Sequence, residues 1–370
     1  MLNNFYEHII AFHESRHYRP RVEVAEARPD PGDLRVLAED AGEAARLMAY
    51  FDNTTIDRAG TLLGEYLFLP DLHLLVDRRG VCMCMSSAAD DYNRWKTIEV
   101  SYRKVNLVAD LPAMLAQWDR WPQQQSPALL LDIYRRNYFD FSMELITRQR
   151  FLAGQPQGVL LLQADSLDHL FQRDLLAHTI AGWMVAPVRG GIRVRDPECM
   201  FARMTTSGMT YLRDTTRIRA KTGGRRLYLR RASRNTRQVP GGGVVEDAAF
   251  LRLIADYGFE TVSFGDGERR VAEQVALLEG AGIVLAPHGA AMTNLAYLDG
   301  PATIIELMGP RDARGFFMHV SAVLGLRHRV LFSSRYDVDG DLKIDSDLLR
   351  DLLADVAGVP AQRRTSPQAA

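Results

Sequence analysis

With 370 residues, 47% of them hydrophobic, the chain is long enough to bury sizeable cores, and two domains is the natural division of that length. The formal net charge of −1 excludes a general attraction to nucleic acid or to an anionic membrane, so anion recognition has to come from local clusters. Three cysteines, Cys82, Cys84 and Cys199, are too few for a disulfide framework, and their spacing lacks the paired pattern of a metal site.

The opening residues Met1-Leu2-Asn3-Asn4-Phe5 lack the basic segment and apolar stretch of a secretory leader, and no run approaches the roughly 18 apolar residues that span a bilayer. A cytoplasmic protein with at most peripheral membrane contact is expected. Residues 34–108 carry short β-rich pieces such as Tyr66-Leu67-Phe68-Leu69 and Leu72-His73-Leu74-Leu75-Val76, separated by Pro70-Asp71 and Arg78-Arg79-Gly80 turn signals. They read as a strand-rich N-terminal elaboration. Val81-Cys82-Met83-Cys84-Met85 is a short apolar run in which the cysteines are explained by strand packing.

A helix is expected over residues 111–119, then a Gln-rich linker at 123–127 and a buried strand over 128–132. Helical spacing of Phe141, Leu145 and Ile146 follows, then an apolar strand at 158–162 and a helix over 166–181. Strands alternating with helices call for a parallel sheet, because parallel strands need crossovers. The polar stretch 215–224, ending in Gly223-Gly224, is the expected boundary, giving domains of residues 1–214 and 215–345 with a terminal helix and tail at 346–370.

The second domain reads strand 226–230, helix 246–257 closed by Gly258, strand 259–264, helix 271–280, strand 282–286, a helix carrying Asn294, and strand 302–307. That order is a doubly wound sheet. A helix over 316–325, a strand over 328–332 and a closing helix over 348–356 complete it, and the tail 362–370 has too little apolar content to pack. Asp337-Val338-Asp339-Gly340-Asp341 fails the calcium-loop pattern, with Leu348 where the twelfth-position glutamate belongs, and Asp339-Gly340 reads as a hairpin turn.

Ligands of an open α/β sheet bind at the carboxyl ends of strands, where helix N-termini offer backbone N–H groups. Pro287-His288-Gly289-Ala290 follows a buried strand, and its small residues let a phosphate approach the backbone while His288 can donate to it. The alternative is a satisfied histidine at an ordinary turn. Glu306, inside the apolar Ile304-Ile305-Glu306-Leu307, needs a partner if buried: a ribose diol, or a salt bridge at the sheet edge. Arg225, Arg226, Arg230, Arg231, Arg234 and Arg237 concentrate positive charge around one strand, as a solvated basic loop, as a weak RNA-binding patch, or as donors to a diphosphate leaving group.

Leu227-Tyr228-Leu229-Arg230-Arg231 with Arg237, Tyr257-Gly258-Phe259-Glu260-Thr261-Val262, Ala272-Glu273-Gln274-Val275, residues 286–294 and Ile305-Glu306-Leu307 together resemble the C-terminal half of glycosyltransferase family 61. Arg136-Asn137-Tyr138-Phe139-Asp140-Phe141 with Glu144 is similar to that family's Asn-Tyr-(Phe/Tyr)-His-(Phe/Trp) segment. The resemblance implies an α/β protein of the GT-B fold, with two Rossmann-like doubly wound domains facing a central cleft. It further implies inverting transfer from a nucleotide-sugar such as a UDP-sugar, no metal or other cofactor, and a glycan or lipid-linked saccharide acceptor, in surface polysaccharide or capsule synthesis. On that likeness Arg231, Arg237, Gln274, His288, Gly289, Ala290 and Asn294 hold the donor and Glu306 its ribose.

Asp140 stands where the family has histidine, and Gln238-Val239-Pro240-Gly241-Gly242-Gly243 displaces its Asn-Glu, leaving Glu246 as the nearest acidic match. Inverting transfer needs a base for the acceptor proton. Asp140 is the candidate and Glu144 the reserve, against the reading of Asp140 as a helix cap. A catalytically silent nucleotide-binding or assembly protein is the alternative. A nicotinamide-dependent oxidoreductase is disfavoured, because no Gly-X-Gly-X-X-Gly turn follows a first strand.

Overall fold

The computed structural model describes residues 10–11, 14–38, 41–52, 54–70, 74–84, 107–124, 128–130, 138–152, 158–179, 183–201, 205–231, 243–265, 269–310 and 315–358. The chain forms two units, one of Met1–Ala27 with Thr54–Arg217 and one of Arg28–Asn53 with Ile218–Ala370. Against the expected domains of 1–214 and 215–345, residues 28–53 and the terminal helix Ser346–Ala357 fall in the later unit. Among the described residues no helix is long and apolar enough to cross a membrane.

The first unit holds two sheets. One runs in the order Met184–Val188, Val159–Gln163, Ala128–Leu130, Glu198–Phe201, Thr54–Leu62 and Tyr18–Ala27. Its first four strands are parallel and its last two antiparallel, so it is mixed and departs from the expected doubly wound pattern. Leu160, Leu161 and Leu162 are all buried, as a strand covered on both faces requires. The other sheet runs Ile10–Ala11, Cys82–Cys84, Leu74–Asp77, Glu65–Leu69 and Ile192–Arg195. Tyr18, Leu62 and Leu161 from one sheet share a core with Phe68, Leu75 and Val194 from the other. Cys82 and Cys199 are buried free thiols, and burial pushes the Cys82 thiol up to about 12 and Cys199 upward as well, which makes them inert packing groups.

The second unit is built on a six-stranded, all-parallel sheet. Its strands in chain order are β1 (Leu34–Leu37), β2 (Arg225–Arg230), β3 (Phe259–Ser263), β4 (Ala281–Pro287), β5 (Thr303–Met308) and β6 (Arg327–Phe332). In space they lie β3-β2-β4-β5-β6-β1. Helices α1 (Ala248–Asp256), α2 (Val271–Ala276), α3 (Phe316–Leu324) and α4 (Ser346–Ala357) supply the apolar layers. Asp247 caps α1 by accepting from the Phe250 amide at 2.8 Å, and Gly258, at φ 74°, lets the chain turn into β3. Phe250, Leu253 and Ile254 of α1 and Leu349, Leu352 and Leu353 of α4 share one core with Tyr228, Leu285 and Ile305. The expected helix carrying Asn294 is a 3-10 helix, Ala290–Tyr297.

The Asp337–Asp341 segment turns as expected. Tyr336 and Leu342 form an antiparallel bridge, Gly340 takes φ 79°, and the Asp337 carboxylate accepts from the amides of Asp339 and Asp341. In β4, a methyl group added to Gly282 would fall on the carbonyl oxygen of Gly223, a backbone atom that cannot move aside cheaply. Gly282→Ala is therefore expected to destabilise the second unit by about 2 kcal/mol, read as a lower urea midpoint at unchanged slope.

Candidate functional site

In the second unit the connections leave β2 in opposite directions, through α1 to β3 on one side and, from β3, back past β2 to β4 on the other. The gap between the carboxyl ends of β2 and β4 is thus a topological switch point, where crossover loops diverge and leave a crevice for a ligand. Arg231 leaves the end of β2 and His288 the end of β4. The Arg231 guanidinium donates from Nη1 to the His288 carbonyl oxygen at 3.1 Å and packs over Gly289, where an added methyl would meet it at 3.5 Å. His288, Gly289, Ala290 and Ala291 stay partly exposed, whereas Met292 to Tyr297 are buried, so the first turn of the 3-10 helix is its accessible part.

The basic run that surrounds β2 divides by what each arginine touches. Arg225 pairs with Glu260 at 2.8 Å, Arg226 donates to the Tyr257 carbonyl at 2.7 Å, and Arg230 bonds Glu246 at 2.5 Å. Glu246 also accepts from the Tyr228 hydroxyl at 2.7 Å, so this acidic residue braces β2. Arg237 lies outside the described residues.

Gln274 and Asn294 are brought together, but beneath the turn. The Asn294 amide donates to Gln274 Oε1 at 3.3 Å and to the Ala291 carbonyl at 3.2 Å, while Gln274 Nε2 donates to the Arg269 carbonyl at 3.1 Å. Both side chains are buried, so in this structure they hold the 3-10 helix on α2 instead of facing a diphosphate.

Glu306 differs most from its expected place. It is fully buried, with Oε1 at 2.5 Å from His288 Nδ1 and Oε2 at 3.0 Å from His328 Nε2. Both oxygens are engaged by histidines, so the carboxylate does not present one to a ribose diol. Register explains the meeting: Ala286, Glu306 and Val330 are paired across β4, β5 and β6, which puts residues two places away, His288 and His328, on the same face of the pleat. Helix α3 covers that face. Phe317 meets the His288 ring edge-on at 5.1 Å, and one turn later Ser321 Oγ lies 2.7 Å from His328 Nδ1. Burial opposes ionisation of Glu306, yet the charge and hydrogen bonds of His288, then those of His328, hold its carboxyl down at about 2.

Two histidines and a carboxylate invite a metal reading. Here each ring nitrogen is aimed at a different carboxylate oxygen at hydrogen-bond distance, so the three groups do not converge on one point, and among the described residues no group of three is disposed to hold an ion. His328 and Ser321 escape a reading of the sequence because polar residues in an apolar helix and strand acquire meaning only once the register is known.

A depression of about 420 Å³, lined by Gly224, Arg226, Tyr257 and Glu260, lies at the amino ends of β2 and β3, the opposite end from the switch point. Asp140 closes the helical turn Tyr138–Asp140, and Glu144 lies on the π-helical segment Phe141–Ile146 that follows; the side chains of both are outside the described residues. A π-helical turn inside a buried helix is a feature common at functional sites.

The profile of a family described as Glycosyltransferase 61 matches residues 110–305, just over half of the chain. The match takes in Asp140, Arg231 and His288 and stops one residue short of Glu306. Among curated proteins none matches.

Proposed function

Because the chain belongs to glycosyltransferase family 61, we propose that it moves a sugar from a nucleoside diphosphate donor, UDP foremost, to an acceptor hydroxyl with inversion and without a metal ion. The observation that carries this reading is the convergence of Arg231 and His288 on the switch point of a parallel sheet, beside the accessible first turn of the 3-10 helix. Backbone N–H groups, a guanidinium and an imidazole together offer the donors that a diphosphate needs. As the glycosidic bond breaks, negative charge grows on the leaving phosphate, and donors already in place stabilise it without reorganising. The same reading takes the fold as GT-B, with the second unit holding the donor and the first the acceptor, a glycan or lipid-linked saccharide of a surface polysaccharide, in the cytoplasm.

Calorimetry with UDP in the presence of a chelator tests the donor reading. Binding that persists without divalent ions supports it, and binding that appears only with magnesium overturns the metal-free form.

The acceptor hydroxyl attacks opposite the leaving group and gives its proton to a base, for which Asp140 is the first candidate and Glu144 the second. Asp140→Asn is expected to lower turnover by about 10²- to 10⁴-fold and to leave UDP affinity unchanged. Unaltered turnover in this variant would clear Asp140 of the role. Asp140 also replaces the histidine of the family it resembles, which keeps a second reading open: UDP binding with no transfer to any saccharide acceptor would mark a nucleotide-binding protein that has lost its base.

A further inference from the structure

Beyond the matched segment, Glu306, His328 and Ser321 form a buried chain that ends on His288. We propose that Glu306, held from behind by His328 and Ser321, is a positioning residue that keeps one proton of His288 on Nδ1, so that a second proton, taken up from solvent at Nε2, is the one donated to the donor's diphosphate.

The donor and acceptor capacities of the groups lead to this assignment. A fully buried carboxylate without partners is costly, and an ionised one can only accept hydrogen bonds. His288 must then carry hydrogen on Nδ1 and His328 on Nε2, the two nitrogens that face Glu306. With Nε2–H spent on Glu306, His328 meets the Ser321 hydroxyl through Nδ1 at 2.7 Å, so the ring, 1% exposed, is satisfied at both nitrogens. His288 keeps 12% exposure of its side chain. The Phe317 edge and the Glu306 bond limit rotation of its ring, and the Arg231 guanidinium holds the His288 carbonyl. Proton exchange at His288 is left to Nε2. A histidine whose inner nitrogen is held by a carboxylate is oriented as well as charged, which is how outer partners prepare a functional imidazole.

The assignment of Nε2 to a diphosphate rests on the donor reading above; the tautomer does not. In protein labelled with ¹⁵N-histidine, long-range ¹H–¹⁵N spectra, with His288 assigned by its loss in His288→Gln, are expected to show Nδ1 protonated and to show Nε2 as the nitrogen that shifts when UDP is added. Glu306→Leu is expected to release the ring to the neutral Nε2–H form, to remove the carboxylate that supports a doubly protonated ring and so to weaken UDP binding about tenfold, and Ser321→Ala to act in the same direction to a smaller extent. A wild-type His288 with hydrogen on Nε2 alone, or a tautomer unchanged by Glu306→Leu, would overturn the proposal. The wild-type spectrum decides the first of these even if the leucine variant does not fold. A fixed Nδ1–H tautomer in a protein that binds no UDP would support the positioning role of Glu306 and overturn the donor reading instead.

Discussion

Arg231→Ala is expected to weaken UDP binding about 10- to 100-fold, the worth of one or two hydrogen bonds between a guanidinium and a phosphate, and to lower turnover further. Arg231 is one of several arginines around β2, and the others serve as internal controls. Arg225 is paired with Glu260 and Arg226 with the Tyr257 carbonyl, both toward the amino end of the strand, so their alanine variants are expected to leave UDP affinity unchanged. Arg231 stands at the carboxyl end, tied to the residue that begins the accessible turn. Lysine at this position should recover only part of the loss, because a single ammonium cannot hold the His288 carbonyl and address a phosphate with the fixed fork of a guanidinium. Equal losses from Arg225→Ala and Arg231→Ala in calorimetric titrations would show that bulk positive charge, and not this position, is what a nucleotide senses.

The second unit was largely legible because its strands are buried on both faces and its helices carry local stop signals. Val284-Leu285-Ala286 and Ile304-Ile305 read as core strands without any partner in view, and Gly258 and Gly325 mark helix ends by their need for positive φ. What was not legible depends on pairing over long distances. Leu34–Leu37 reads locally as part of an N-terminal β-rich region, yet it completes the later sheet by pairing Leu34 with His328 and Leu37 with Leu331. Nothing within four residues encodes that choice. Glu306, a carboxylate in an apolar strand, reads as needing a partner, but its partners are diagonal neighbours on flanking strands, so they emerge only from the register. Gln274 and Asn294 show the opposite limit: their spacing fits a ligand-binding segment, while their amides are used to join α2 to the 3-10 helix.

Acidification is expected to unfold the second unit before the first, beginning at His319. This side chain is 1% exposed on α3, and its Nδ1 accepts from the Arg28 guanidinium at 3.2 Å. Burial first, and the Arg28 charge second, push its pKa from 6.5 down to about 3. Below about pH 6.5 the unfolded chain binds a proton that the native state refuses, so stability falls by up to about 1.4 kcal/mol per pH unit until the native ring titrates near 3. Glu306 adds a second loss. Its folded value near 2 lies below the ordinary 4.5, so its contribution is complete above about pH 4.5 and disappears as pH falls toward 2. Together these losses are on the order of several kcal/mol, a large part of a typical domain's stability. The four tryptophans, at positions 95, 118, 121 and 183, all belong to the first unit, so an acid transition of the second should appear in far-UV circular dichroism with little change in tryptophan emission. His319→Gln keeps an acceptor for Arg28 and removes the titration. Urea midpoints of that variant should therefore stay nearly flat from about pH 6.5 to 4.5 and fall only below, where Glu306 takes over; a wild-type slope preserved in the variant would assign the acid sensitivity to other groups.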